Sequence, residues 1–325
     1  MSQNILLSVE NLKVHFPIPK KGSWFKTIPL KAVDGVSFQL YEGETLGVVG
    51  ESGCGKSTLA RAILRLLPAT SGSVLFLNKD LLAIGSEEMR AHRKDIQMIF
   101  QDPLASLNPR MTAGEIISEP LKTFFPKMTR AEMKEKVSNL MNLVGLIPEH
   151  INKYPHEFSG GQCQRIGIAR ALILKPKIIV CDEPVSALDV SIQAQIVNLL
   201  KKIQREFKLT LIFIAHDLSI VKHISDRVLV MYLGRVVEIA SKEELYKNPQ
   251  HPYTKALLSA VPIPDPKLER AKQIQILQGD LPSPLNPPSG CAFRTRCPLA
   301  DEQCAEKTPE LKLTNKSHVS CHKVQ

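Results

Sequence analysis

The sequence has no hydrophobic run long enough to cross a bilayer, which takes roughly 18 or more apolar residues in succession. Its most apolar strings, "LTLIFIAH" and "VLVMYLG", have the length of strands. The first residues, "MSQNILLSVENLKVHF", lack a basic stretch, and Glu10 interrupts their apolar residues, so they make a poor signal peptide. We therefore expect a protein of the cytosol that does not itself span a membrane.

Acidic residues are in the minority. The chain has 32 Asp and Glu residues against 42 Lys and Arg residues, which gives a formal charge of +10 at pH 7. Such an excess suits nucleic acid, anionic lipid headgroups or a nucleotide as ligand. The charges are scattered without a long run of one sign, so composition does not choose between these ligands and a generally basic surface.

The sequence also lacks any Cys-x-x-Cys pair, although it has seven cysteines. Disulfides are disfavoured in the cytosol, and structural zinc sites use tighter spacings, with His318 and His322 as possible substitute ligands here. A [4Fe–4S] cluster, a zinc ion and unmetallated thiols therefore all stay open for the tail. The four tail cysteines are Cys291, Cys297, Cys304 and Cys321.

The segment "TLGVVGESGCGKST", residues 45 to 58, joins a buried-strand pattern to a glycine-rich loop. The loop reads Gly50-x-x-x-x-Gly55-Lys56-Ser57 and runs into "TLARAILRLL", which has the composition of a helix. Glycines let backbone N–H groups turn inward around phosphate oxygens, and the helix N-terminus adds positive potential. Lys56 is expected to reach the β- and γ-phosphates, and Ser57 to bind magnesium. The pattern predicts a nucleotide phosphate site.

Two carboxylates follow a second buried-strand pattern, "KIIVCDEP", residues 177 to 184. In a P-loop ATPase, the first carboxylate, here Asp182, lies near magnesium, and the second, here Glu183, orients or deprotonates the attacking water. A carboxylate pair at a strand end is common and is often only solvated. Downstream of a P-loop, however, the pair predicts hydrolysis of a nucleotide.

A Ser-Gly-Gly turn opens a helical pattern in "FSGGQCQRIGIARAL", residues 158 to 172. The turn predicts a second anion-binding nest, and Ser159 also suits the N-cap of the helix. A single bound nucleotide does not need two anion-binding nests, the P-loop and this turn, from the same chain. We therefore expect Ser159, Gly160 and Gly161 to face a nucleotide held by another subunit.

These motifs, in this order, resemble those of the nucleotide-binding subunits of ATP-binding cassette (ABC) transporters. "GESGCGKST" is similar to the Walker A motif, "IIVCDEP" to Walker B, and "FSGGQ" to the signature motif, with Phe158 at a position that is usually leucine. Gln101 in "IFQDP" is similar to the Q-loop, "SALD" at 186 to 189 to the D-loop, and His216 in "FIAHD" to the switch histidine.

The resemblance implies a set of site residues. Glu183, His216 and Gln101 are implied to be catalytic, and Ser57 and Gln101 to bind magnesium. Phe16 is the first candidate to stack on adenine, with Trp24 as the alternative. The residues implied to bind nucleotide are Phe16, Gly50, Glu51, Ser52, Gly53, Cys54, Gly55, Lys56, Ser57, Thr58, Asp182, Ser159, Gly160, Gly161, Gln162 and Asp189.

Strand-like runs alternate with helical segments, which predicts an α/β core. The resemblance implies a P-loop ABC ATPase with a RecA-like lobe and an antiparallel β subdomain. It also implies an inserted helical lobe over 102–157, inside a nucleotide-binding domain at 1–240, and a small Cys-containing C-terminal extension at 241–325. The predicted strands are 5–9, 33–40, 45–50, 178–182 and 209–215.

Within this lobe, "TRAEMKEKVSNLMNLVG" predicts an amphipathic helix. Thr129-x-x-Glu132 has the pattern of a capping box, and Gly145 suits the end of the helix. Such a stripe usually packs in a core, and in ABC proteins the lobe also receives a helix of the membrane subunit. The apolar residues on one face are Met133, Val137, Leu140, Met141 and Val144.

The segments "NPQHPYTKALLSAVP" and "LPSPLNPPSGC" resemble the C-terminal region of peptide-importing ABC ATPases. This implies an ATPase at the cytoplasmic face of the inner membrane that energises oligopeptide uptake, with dipeptide, glutathione or nickel as alternative cargo. The implied partners are two membrane-spanning permease subunits, a second and related ATPase chain, and an extracytoplasmic peptide-binding protein, but no nucleic acid. The resemblance also associates a [4Fe–4S] cluster with the tail cysteines, whereas Cys54, Cys163 and Cys181 are expected to pack in the core.

Two other classes of protein fit the sequence less well. ABC ATPases of translation usually carry two cassettes, and those of DNA repair carry a long coiled coil, neither of which the sequence shows. A metal-sensing protein with a decayed ATPase is disfavoured by intact Glu183, Gln101 and His216.

Overall fold

The computed structural model describes residues 4–20, 27–262, 265–272, 275 and 277–324. These residues form two compact units. The lobe unit comprises the described parts of 1–4, 41–45 and 84–215. The P-loop unit comprises the described parts of 5–40, 46–83 and 216–325.

The strands, in chain order, are β1 (Ile5–Pro19), β2 (Thr27–Tyr41), β3 (Thr45–Val49), β4 (Ser71–Phe76), β5 (Lys79–Asp80), β6 (Ile96–Ile99), β7 (Ile178–Asp182), β8 (Thr210–Ile214), β9 (Arg227–Tyr232), β10 (Arg235–Ser241), β11 (Lys312–Thr314) and β12 (Ser317–Val319). The helices are α1 (Lys56–Ile63), α2 (Ser86–His92), α3 (Ala113–Phe124), α4 (Arg130–Leu143), α5 (Gly160–Leu172), α6 (Val190–Phe207), α7 (Leu218–Ile224), α8 (Lys242–Lys247), α9 (Pro252–Ser259), α10 (Pro266–Ala271) and α11 (Glu302–Glu306). Within the described residues, no helix combines the length and apolar character needed to cross a membrane.

Parallel strands β6, β7 and β8 form the sheet of the lobe unit. Ile96 pairs with Ile178, and Ile178 pairs with Thr210. Every residue of β7 and β8 is buried. Strands covered on both faces have such continuous apolar sequences, which is why the sequence predicted them closely.

The predicted amphipathic helix of the lobe is α4. Thr129 caps it, and Thr129 and Glu132 form the expected capping box. The helix packs against α3 and α5, so the predicted apolar face is a packing face. Of that face, Val137, Met141 and Val144 are buried, and Met133 and Leu140 are half-buried.

The P-loop unit contains an antiparallel sheet with the strand order β2-β1-β4-β5. Leu7 of β1 lies opposite Phe76 of β4. Both β1 and β2 are longer than the apolar patterns at 5–9 and 33–40 predicted. The difference arises because pairing with a neighbouring strand satisfies backbone hydrogen bonds even where the side chains are polar and exposed.

The tail extends the other sheet of the P-loop unit. In that sheet β3 runs parallel to β9, β10 is antiparallel to β9, and β12 is antiparallel to β10 and β11. Ser320 N donates to the Val237 carbonyl at 2.9 Å, and Cys291 N donates to the Cys304 carbonyl at 2.8 Å. The four tail cysteines therefore lie on a segment that is hydrogen-bonded to the sheet and to itself.

Candidate functional site

The P-loop connects β3 to α1, as the sequence predicts. Lys56 is the first residue of α1, and Gly55 is its N-cap, with φ +101°. A Cβ atom at position 55 would lie 2.0 Å from the Ala32 carbonyl oxygen. Both the left-handed backbone and this close approach require glycine, so the loop can present its backbone N–H groups to an anion.

Lys56 is buried inside this loop, with 4% of its surface exposed. Its Nζ donates to the Gly50 carbonyl at 2.8 Å and to the Glu51 carbonyl at 3.0 Å. A buried ammonium group held against the loop provides the positive charge that phosphate oxygens need.

Two residues that the sequence did not assign to the nucleotide site contact the P-loop. The Tyr253 hydroxyl accepts a hydrogen bond from Glu51 N at 2.9 Å. Arg296 donates from Nη1 to Glu51 Oε2 at 2.7 Å and from Nη2 to Glu51 Oε1 at 3.1 Å. Hydrogen bonds to Glu51 raise the pKa of Arg296, so this guanidinium stays charged. Tyr253 lies in "HPYTKALL" and Arg296 in "FRTRC", but neither segment on its own predicted a contact with the P-loop.

The two carboxylates predicted to act in hydrolysis lie at the end of β7 in the lobe unit, with Asp182 its last residue and Glu183 directly after it. Asp182 is fully buried. Glu183 has φ +46°, a left-handed backbone that non-glycine residues rarely adopt and that tends to occur at functional sites. Gln101 Nε2 donates to Glu183 Oε2 at 2.9 Å. The structure thus brings together two of the three predicted catalytic residues, although 82 positions separate them in sequence.

The signature turn begins α5 in the same unit. Ser159 is the N-cap, its Oγ accepts from Gln162 N at 3.3 Å, and Ser159 N donates to Gln162 Oε1 at 2.9 Å. A Cβ atom at Gly161 would lie 2.6 Å from the Ile192 side chain in α6. The predicted N-cap is confirmed, and the small residue at 161 lets the turn pack closely against α6. Asp189 of the D-loop is exposed and is the N-cap residue of α6.

The two remaining single-residue predictions lie in the P-loop unit. His216 is exposed and directly precedes Asp217, the N-cap of α7. Phe16 is half-buried within β1, and the alternative aromatic, Trp24, lies outside the described residues.

The seven cysteines fall into two groups, none of them in a disulfide. The three outside the tail are buried, as expected of packing residues, and burial raises the pKa of each thiol. In the tail, burial and repulsion from the other three thiols raise the pKa of Cys291 to about 11. Burial also raises the pKa of Cys297 and Cys321, and both interact electrostatically with Cys304. The structure therefore gathers the four tail thiols into one cluster, which we call the thiol cluster.

Across the residues that the structure describes, no group of three or more His, Cys, Asp or Glu side chains is arranged to hold a metal ion. The thiol cluster is therefore not a ready-made site for a single ion. The donor set of four soft sulfur ligands does fit an iron–sulfur cluster.

Comparison with known proteins agrees with these motifs. The family model described as ABC transporter matches residues 33–186, and that of the oligopeptide/dipeptide transporter C-terminal region matches residues 237–304. The oligopeptide transport ATP-binding protein OppF of Salmonella typhimurium is 66% identical over 324 residues, or 99% of this chain and 97% of that protein. The chain belongs to the ABC transporter ATPase family.

Two further comparisons support this assignment. The OppF protein of Haemophilus influenzae is 65% identical over 326 residues, which cover 99% of this chain and 98% of that protein. Among solved structures, the dimeric post-hydrolysis state of the ATP-binding cassette MJ0796 bound to ADP and Pi has a TM-score of 0.65 and 29% identity, covering 73% of this chain and 98% of that one. The predicted α/β ABC ATPase fold is confirmed, and the chain is the ATP-binding subunit of a transporter.

Proposed function

We propose that this chain hydrolyses ATP to energise the import of oligopeptides through a membrane transporter. The observation that carries the cargo assignment is similarity over almost the whole chain to oligopeptide transport ATP-binding proteins, at 65% to 66% identity. The second family match, at residues 237–304, covers most of the tail, so the similarity is not limited to the ATPase motifs that all ABC proteins share.

We assign chemistry to each residue from its motif, and for Lys56 and Glu183 the surroundings support the assignment. Lys56 and the N–H groups of the P-loop bind the phosphates, because the loop holds a buried positive charge and glycine geometry. Glu183 is the general base, oriented by Gln101. His216 contacts the γ-phosphate, and Phe16 stacks on adenine. Ser57 and Gln101 remain the proposed magnesium ligands on the strength of their motifs alone.

The signature turn is proposed to act on a nucleotide bound by a second ATPase subunit. Ser159 is exposed at the start of α5. Val190, beside Asp189 of the D-loop, has 81% of its surface exposed, which is unusual for a large apolar side chain. A partner subunit at this surface would cover Val190. We assign this place to a related but different chain, which makes the ATPase pair a heterodimer.

Transport further requires subunits that this chain does not contain. We propose that the transporter has two membrane-spanning permease subunits, and that the helical lobe at 102–157 receives a helix of the membrane subunit. An extracytoplasmic binding protein delivers the peptide. The chain is then a peripheral protein on the cytoplasmic face of the inner membrane. The proposed division is a nucleotide-binding domain at 1–240 and a peptide-transporter C-terminal region at 241–325.

We assign a [4Fe–4S] cluster to the four tail cysteines, with zinc as the alternative. The other three thiols lie close enough to Cys291 to help raise its pKa, and none of the four is in a disulfide. A four-iron cluster is larger than one ion and holds its thiolates farther apart, which suits the wide spacing of the four cysteines in sequence. When bound, it would add folding free energy to a tail with few apolar residues.

Anaerobic purification with iron, sulfide and zinc analysis tests this assignment. Cys297→Ser should lose the iron. The matched control is Cys163→Ser, which keeps a donor for the Pro155 carbonyl and should keep the iron. Stoichiometric zinc without iron in the native protein, or unchanged iron in Cys297→Ser, would contradict the cluster.

Purification of the native complex tests the transport function. The chain is tagged, isolated from membranes of its own host, and its co-purifying subunits are identified. We expect two permease subunits and a second ATPase chain, and ATP-dependent peptide uptake by the complex in vesicles. Uptake of dipeptides alone, glutathione or nickel would reassign the cargo, whereas co-purification of ribosomes or DNA would overturn the function.

A further inference from the structure

The segment between the first two tail cysteines contacts the P-loop directly. Arg296, next to Cys297, binds both carboxylate oxygens of Glu51 through its two terminal nitrogens, at 2.7 and 3.1 Å. Only 9% of the arginine side chain and 26% of the Glu51 side chain are exposed. Such a bidentate ion pair fixes the orientation of the two side chains as well as their distance, because the planar guanidinium matches the geometry of the carboxylate.

Aromatic packing fixes the position of this segment. Phe293, three residues before Arg296, is 1% exposed. Its ring centroid lies 5.2 Å from that of Tyr232, 5.4 Å from that of Tyr253 and 5.7 Å from that of His251. The Arg296 guanidinium lies 6.0 Å from the centroid of the Tyr232 ring. Arg296 therefore reaches the P-loop from a segment that buried aromatic packing holds in place.

Glu51 is held at three points. Arg296 binds its side chain, the Tyr253 hydroxyl accepts from its N–H, and its carbonyl accepts from Lys56 Nζ at 3.0 Å. The last contact joins Glu51 to the lysine that binds phosphate. Movement of Glu51 would therefore change the backbone that positions this lysine.

We propose that Arg296 is a positioning residue for ATP binding, through which the cysteine-bearing tail holds the P-loop in its phosphate-binding conformation. The proposal rests on nucleotide binding at the P-loop, and it needs neither a particular cargo nor a metal in the thiol cluster. Because the contact organises the loop before nucleotide arrives, its loss should weaken ATP binding and leave the chemical step almost unchanged.

The simplest test compares two arginines of the same segment. Arg294 donates to Ser289 instead of Glu51, at 2.9 and 3.3 Å, so Arg294→Gln is the matched control for the charge change. The dissociation constant of trinitrophenyl-ATP is measured on the purified full chain, and KM and kcat for ATP on the assembled transporter. Arg296→Gln should raise the dissociation constant and KM about tenfold, with kcat within about twofold of wild type. Arg294→Gln should change neither.

A double-mutant cycle tests the contact from the P-loop side. Glu51→Gln leaves the tail sequence intact, so it guards against a tail that misfolds in Arg296→Gln. If the two residues act through one contact, the double variant should bind nucleotide no more weakly than whichever single variant has the lower nucleotide affinity. Arg296→Lys keeps the positive charge but loses the planar guanidinium that binds both carboxylate oxygens. It should therefore recover only part of the nucleotide affinity.

Two results would overturn the proposal. One is an Arg296→Gln protein that binds nucleotide as tightly as Arg294→Gln. The other is a double variant whose fold-loss of nucleotide affinity equals the product of the fold-losses in the two single variants. Loss of peptide uptake with unchanged nucleotide binding would instead concern the transport function, so the two failures are distinguishable.

Discussion

At the scale of single residues, the site depends on backbone conformations that few side chains tolerate. Glu183 adopts a left-handed φ of +46° at the end of β7, where its carboxylate accepts a hydrogen bond from Gln101. Gly55 adopts φ +101° directly before Lys56. In both places the unusual backbone lies at or next to a charged residue to which we assign a role in the proposed chemistry.

Gly55→Ala should damage the phosphate site. The new Cβ would lie 2.0 Å from the Ala32 carbonyl oxygen, and the left-handed backbone alone costs an alanine roughly 1–2 kcal/mol. We expect nucleotide affinity to fall by at least about tenfold in a fluorescence titration. Gly167→Ala is the control, since nothing lies within 4 Å of its Cβ position in α5. Equal affinity in the two variants would show that the loop tolerates a side chain at 55.

At the scale of elements, capping boxes begin α3, α4 and α5. The sequence predicted the start of α4 from its capping-box pattern and that of α5 from its Ser-Gly-Gly turn. The start of α3 was missed, although Thr112 and Glu115 have the same capping-box pattern. α4 and α5 offer an internal comparison. Both N-cap hydroxyls accept from the third helical N–H at 3.3 Å, but only the cap of α5 belongs to the signature motif.

Ser159→Ala and Thr129→Ala should therefore destabilise the chain alike and differ in activity. Each loses one cap, worth about 1 kcal/mol, measured by denaturant unfolding. Only Ser159→Ala should also lower ATP turnover in the assembled transporter, because only that hydroxyl is proposed to face a nucleotide. Equal turnover in the two variants would leave Ser159 with a capping role alone.

The N-cap of α9 is a buried histidine, His251, which should make the stability of the protein sensitive to acid. Burial lowers the pKa of His251 to about 3, while its Nδ1 accepts from Tyr253 N at 3.1 Å. An unfolded histidine binds a proton below a pKa of about 6.5, so between that pH and about 3 the unfolded chain binds more protons. Stability should therefore fall as pH falls from 6.5, by up to about 1.4 kcal/mol for each pH unit.

His251→Asn is the variant that isolates this effect, because its side-chain oxygen can replace Nδ1 as the cap but does not titrate. The nearby Glu238 accepts from the backbone N–H of residue 251, which both proteins keep. Unfolding free energies are compared at pH 6.5 and 5.5, and wild type should lose about 1 kcal/mol more than the variant. Parallel losses would show that His251 is not the acid-sensitive group.

At the scale of the whole molecule, the sequence predicted the parts that are local. The P-loop, the carboxylates after β7, the signature turn and α4 each depend on residues close together in the chain. What it could not predict are contacts between distant segments. Tyr253 and Arg296 meet Glu51 across 202 and 245 positions, and β12 joins β10 although its three residues have no strong strand pattern. Such contacts follow from the packing of the finished fold.

The central claim, that this chain is a working ATPase with Glu183 as its general base, is tested most directly by ATP turnover of the assembled transporter carrying Glu183→Gln. The variant keeps the shape of the side chain and the buried Asp182, but it removes the carboxylate that polarises water. Glu243→Gln, at an exposed glutamate of α8, is the control for the charge change. We expect Glu183→Gln to bind ATP as wild type does, to lose nearly all turnover and to stay longer in the ATP-bound pair with the second ATPase chain. Hydrolysis by Glu183→Gln at the wild-type rate would contradict the central claim.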